Sequence, residues 1–198
     1  MAGGKSKALE PRGKRLVYVP EELIEEILAI ARGRGETIGK FVEEAVRLAI
    51  RAYGVGLSPD KAAEALEVLQ AQRVLGGAFV PQEALDFMVE GLYKSGREEL
   101  LAKWFEGGRL HGRYLREKFK DPVEALRCFL EATRWDLNEV DVLHEGEAVR
   151  LRCVSTALSM EATEMLCRFL EGVVDGMGCK VGAVECLKGM IIVTFKSP

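Results

Sequence analysis

Cys128, Cys153, Cys167, Cys179 and Cys186, with His111 and His144, are the side chains of this chain whose types suit metal ligation or redox chemistry. Zinc takes four Cys or His ligands, often in closely spaced pairs. Here the last four cysteines are 14, 12 and 7 residues apart (153 to 167, 167 to 179, 179 to 186), and no CxxC pair occurs. Convergence of Cys153, Cys167, Cys179 and Cys186 would therefore have to come from the fold. Three readings stay open: metal ligands, redox-sensing thiols, or core residues, since free cysteine is among the most buried residue types. Cys153 shares a strand face with Val149 and Leu151, which points to core. The odd count and the absence of a signal-peptide pattern argue against a secreted disulfide framework. No Walker loop, GxGxxG, GxSxG, HExxH or paired-carboxylate signature is present, so no catalytic constellation is expected.

The second chemistry is phosphate contact. Lys5, Lys7, Arg12, Lys14 and Arg15 cluster at the N-terminus. Residues 1–56 carry 10 Lys/Arg and 8 Asp/Glu, net +2, and the remaining 142 carry 18 and 23, net -5. A basic arm ahead of an acidic body suits an anionic partner. Glu, Lys and Arg are abundant, whereas Asn occurs once and Gln three times, the balance of a hyperthermophile protein. No apolar run reaches the roughly 18 residues of a membrane span. A cytoplasmic protein with no membrane partner is expected.

The elements that must position these residues are legible in outline. Residues 1–13 read as a disordered arm. Lys14–Val19 alternates as a strand. Pro20 then opens a helix at its first position, with Glu21 and Glu22 at the positive end of the dipole. Gly33 and Gly35 stop it, and Thr37 caps a second helix with Phe41, Val42, Ala45, Leu48 and Ala49 on one face. Residues 57–106 read as helical in three pieces, the first capped by Ser58. "GGRLHGRYLREKF" reads as a helix opened by its glycines. Asp121 and Pro122 start another helix, and "NEVDVLHEGEAVRLRCVST" a hairpin turning at Glu145-Gly146. Ser159 caps a long amphipathic helix, and a second hairpin turns near Lys188-Gly189. The fold class is α+β.

Residues 14–54, strand, helix, glycine turn and helix, resemble the ribbon-helix-helix family of DNA-binding proteins. "PEEL" at Pro20–Leu23, the turn near Gly35 and "FVEEAVRLAI" carry the resemblance. It implies that the lone strand pairs with the same strand of a second copy, and that the two-stranded ribbon enters the major groove of double-stranded DNA. The implied DNA face is Lys14, Arg15, Leu16 and Tyr18, with Thr37 and Gly39 at a phosphate clamp on the second helix. The chain departs from the family in placing apolar Leu16 and Tyr18 where polar residues are usual, and Gly39 where Ser is frequent. In the opposite strand register Arg15 would read guanine, and Leu16 and Tyr18 would turn inward.

From Gly107 onward the chain resembles the 4-vinyl-reductase-type sensor domains, related in fold to NO-signalling haem domains. "GGRLHGRYL", "VRLRCVST" and "CRFLEGVVDGMGCKVGAVEC" carry the resemblance. It implies a domain over 107–198 that senses a small hydrophobic ligand, redox state or a metal, with His111 a candidate axial ligand. The C-terminal cysteine cluster is thinner than the family's. The expectation is a homodimeric transcriptional regulator with an N-terminal unit at 14–56 and a helical segment at 57–106. The alternative is that the ribbon serves dimerisation only, and the C-terminal domain is a ligand-binding or assembly module without DNA.

Overall fold

The computed structural model describes residues 17–78, 80–134 and 136–196. Lys14, Arg15, Leu16 and the basic arm lie outside the described residues. The chain divides into two compact units, Met1–Pro59 and Asp60–Pro198.

In the first unit, α1 spans Glu21–Arg34 and α2 spans Ile38–Gly54. Pro20 is the cap of α1 rather than its first residue, because its carbonyl already accepts the Ile24 N–H. Gly35 ends the helix at φ 67°, a left-handed conformation that glycine adopts without a Cβ penalty. Thr37 Oγ1 accepts from Lys40 N and caps α2. Val17–Val19 belong to no ladder among the described residues. A strand is a relation between two backbones, and none of the described residues of this unit lies alongside to complete one. The unit has almost no core of its own: Ala31 and Ala52 are its buried residues among those described.

The second unit opens with α3, Pro59–Leu75, followed by α4, Gln82–Lys118, and α5, Pro122–Thr133. Strands β1, Glu139–Glu145, and β2, Ala148–Val154, form a hairpin. Helix α6 spans Met160–Gly176, and β3, Lys180–Leu187, and β4, Met190–Lys196, form a second hairpin. The strand order is β1-β2-β4-β3, antiparallel throughout. Val149, Leu151 and Cys153 of β2 stand opposite Phe195, Val193 and Ile191 of β4, all buried. The other face is largely polar, with Arg152 paired to Glu139 and Asp141 and covering the buried Ile192 opposite it. A sheet with one apolar and one solvated face needs one covering layer, and α5 and α6 supply it. Asp121 and Ser159 cap those helices through their side chains. Both expected hairpin turns are present, with Gly146 and Gly189 at positive φ.

The break expected between the pieces ending "KSG" and beginning "REELL" is present in α4 as a kink at Gly96, φ -155° and ψ 44°, where two helices meet end to end. Helix α4 corrects one sequence expectation: it continues past Gly107, so no helix opens at "GGRLHG", and the expected 106/107 boundary falls inside the helix. The glycines serve packing instead. A Cβ added at Gly108 or Gly112 would overlap the carbonyl oxygen of Phe169 or Val173 on α6. A Cβ added at Gly172 or Gly176 would overlap that of Phe105 or Arg109 on α4. The two helices touch main chain to main chain. No helix among the described residues is long and apolar enough to cross a membrane.

Candidate functional site

The predicted DNA-contact residues that the structure describes are all accessible. Tyr18 is 92% exposed, and Gly39 lies in the first turn of α2 with no atom within 4 Å of where a Cβ would sit. The α2 N-terminus presents backbone N–H groups behind the Thr37 cap. Sequence reasoning passed over the neighbour that tempers this site, Glu36. Its carboxylate lies 3.4 Å from both Arg34 Nη2 and Lys40 Nζ. Its Oε2 is buried without a hydrogen-bond partner. The carboxylate therefore holds two cations that would otherwise be available to a phosphate.

The candidate ligating residues of the second unit sit apart. Cys153 lies on the inner face of β2, where burial pushes its thiol up to about 12. Cys179 follows α6 and is likewise raised by burial. Cys167 on α6 and Cys186 on β3 are close enough to hydrogen-bond through their thiols. Burial is the main cause raising both, with the Glu171 carboxylate adding to it. These thiols stay protonated at neutral pH, the opposite of the lowered values that mark reactive cysteines. Among the described residues no three Cys, His, Asp or Glu side chains gather as a metal site would need.

His111 projects from α4 into an aromatic cage. Its ring meets Phe129 at 5.3 Å and Phe169 at 5.1 Å, both edge-on. Nδ1 lies 2.9 Å from Gly107 O, so the neutral tautomer carries its proton there and donates it. Burial lowers the imidazole below its ordinary value, and the Gly107 bond opposes this only in part. A base that is harder to protonate folded than unfolded gives stability that is whole above the unfolded pKa, about 6.5, and is lost as pH falls through it toward the folded value. The expected outcome is a melting temperature that drops on acidification below about pH 6.5. In His111→Gln that drop should be shallower, as scanning calorimetry across the range would measure; an unchanged slope would remove His111 as the cause.

The structure also forms a cleft that no sequence motif announced. It lies within the second unit, between α3, the C-terminal end of α4 and the start of α5, and encloses about 260 Å³. Val68, Ala71, Leu115, Phe119, Ala125 and Phe129 make its floor and walls. The usable sequence signal was α3 itself, which carries apolar residues on opposite sides. Val68 and Ala71 face inward and are buried, while Leu66, Leu69 and Val74 are 59%, 64% and 59% exposed.

No protein-family model matches the chain, and neither does a curated protein or a solved structure.

Proposed function

We propose that the protein is a homodimeric DNA-binding transcriptional regulator whose second unit senses a small molecule. One observation carries the dimer: residues 17–57 bury Ala31 and Ala52 while Val17, Leu23, Val46, Ile50, Tyr53 and Val55 stand 49–77% exposed. A segment of about 40 residues does not stabilise itself on two alanines. Val46, Ile50 and Tyr53 recur at helical spacing on one side of α2 and form a stripe that a second copy would cover. A dimer built there would also give the segment around Val17–Val19 the antiparallel partner that the described residues of one chain do not supply. DNA contact rests on the resemblance of residues 14–54, on the basic pair Lys14 and Arg15, and on the capped N-terminus of α2.

A second reading, dimerisation without DNA, has support in two observations: the exposed apolar segment at Val17–Tyr18, and Glu36 beside the expected clamp. Fluorescence anisotropy against duplex from the chain's own upstream region, across a salt series, separates the two. The regulator reading expects preference over a scrambled duplex and affinity falling steeply with salt. Lys14→Ala with Arg15→Ala should flatten the log–log salt slope by about 0.9 for each phosphate that is no longer neutralised. Failure of any duplex to bind at low salt would leave the dimerisation reading.

A further inference from the structure

We infer that the cleft beneath α3 is an effector site for a small aromatic amine. Its volume, about 260 Å³, exceeds the roughly 150 Å³ of an engineered apolar cavity that accepts benzene. The space therefore takes one or two fused rings. Its wall is apolar and drawn from three helices, and the buried side chains Val68, Ala71, Leu115 and Phe129 fix its floor.

The rim selects the charge. Glu64, Glu67, Asp121 and Glu124 line the cleft, against Lys120. Lys61 engages Glu64 at 2.8 Å, and Arg127 engages Glu124 at 2.9 Å. Asp121 keeps its charge but accepts from Val123 N and Glu124 N as the cap of α5, so Glu67 is the rim carboxylate set against Lys120, and the rim stays acidic by formal charge. A ring bearing an ammonium group is attracted there, and one bearing a carboxylate is repelled. The screened, half-open setting makes the preference modest rather than absolute.

Helix α3 makes the cleft an effector site rather than a passive hollow, and this part rests on the regulator reading. One side of the cleft is α3 alone, and the Lys61–Glu131 pair at 3.8 Å ties it across to α5. The same helix follows α2 after only the four residues 55–58. A ligand that binds one position of α3 better than another would favour that position, and α3 is the element through which the second unit connects to the first. Coupling of this kind needs only a difference in ligand affinity between two α3 positions.

The test is calorimetric titration of the full-length protein, without DNA, with tryptamine, indole and indole-3-propionate. Tryptamine should bind about fivefold more tightly than indole-3-propionate, with indole between them. Ala71→Phe, which fills the cleft, should abolish the heat. Because that variant risks misfolding, wild-type protein supplies a second readout. Saturating tryptamine should slow alkylation of Cys128, which lines the cleft, and leave half-buried Cys186 unaffected, as peptide mass spectrometry would show. No heat from any of the three, heat without protection of Cys128, or propionate binding as tightly as the amine would each overturn the inference. Tryptamine binding that leaves duplex affinity unchanged would overturn the effector role, whereas a protein that binds no duplex would sink the regulator reading and leave the binding site standing.

Discussion

Gly172→Val should destabilise the second unit severely. The valine side chain would have to occupy the space of the Phe105 carbonyl, with the Arg109 N–H close behind. Backbone cannot rotate away as a flexible side chain can, so α4 and α6 must separate. That opens the core at Leu170 and Val173, which are fully buried. The cost should exceed about 4 kcal/mol, a large share of the roughly 5–15 kcal/mol by which a domain of this size is stable. Two neighbouring glycines supply an internal comparison. Gly107 and Gly108 are adjacent on α4, yet a Cβ at Gly107 meets nothing within 4 Å, and one at Gly108 overlaps Phe169. Gly107→Ala should gain up to about 1 kcal/mol of helix propensity, whereas Gly108→Ala should lose about 1–3 kcal/mol to overpacking. Urea unfolding of the pair, with opposite signs at neighbouring positions, is the decisive measurement; equal effects would mean that the helices do not meet at their backbones.

The second large effect is on assembly. Val46→Glu with Ile50→Glu should convert the protein to a monomer and remove duplex binding with it. Each side chain is worth about 1.5–3 kcal/mol when fully covered, and a two-fold interface contains each twice. Adding the cost of enclosing four carboxylates, the dimer dissociation constant should rise by at least about 10⁴. Both positions are exposed in the single chain, at 53% and 65%, so the substitution should leave α2 itself intact. Light scattering after gel filtration reads the mass, and circular dichroism checks the helix. A variant that stays dimeric and helical would place the interface elsewhere and withdraw the main support for the regulator reading.

What was legible in the sequence is what neighbours in the chain decide. Thr37, Asp121 and Ser159 cap their helices by bonds to N–H groups two or three residues on, so residue type at the right offset suffices. The hairpin turns at Gly146 and Gly189 are local in the same way, and the buried face of Val149, Leu151 and Cys153 follows from period 2. The continuation of α4 through Gly107 was not legible. Gly107 and Gly108 carry the local mark of a helix start, and their use is set by α6, which lies far along the chain. Convergence of four cysteines was an open possibility of the same non-local kind, and the fold brings Cys167 and Cys186 together without the other two joining them in a metal-ready group among the described residues. The cleft was hidden for a similar reason: its floor comes from three helices, and α3 joins it through two small buried side chains.

The two outer strands of the sheet are closed to company. Strand β1 sets Glu139, Asp141 and Glu145 along one edge, and β3 breaks its register between Val181 and Ala183 on the other. Charge and irregularity at open edges discourage a further strand from docking and so guard against fibrous aggregation. Among the described residues the N-terminal segment, apolar at Val17, exposed at Tyr18 and unladdered, is the stretch left receptive to a strand from outside. Openness to pairing is thereby concentrated in one short stretch rather than along the rim of the larger sheet.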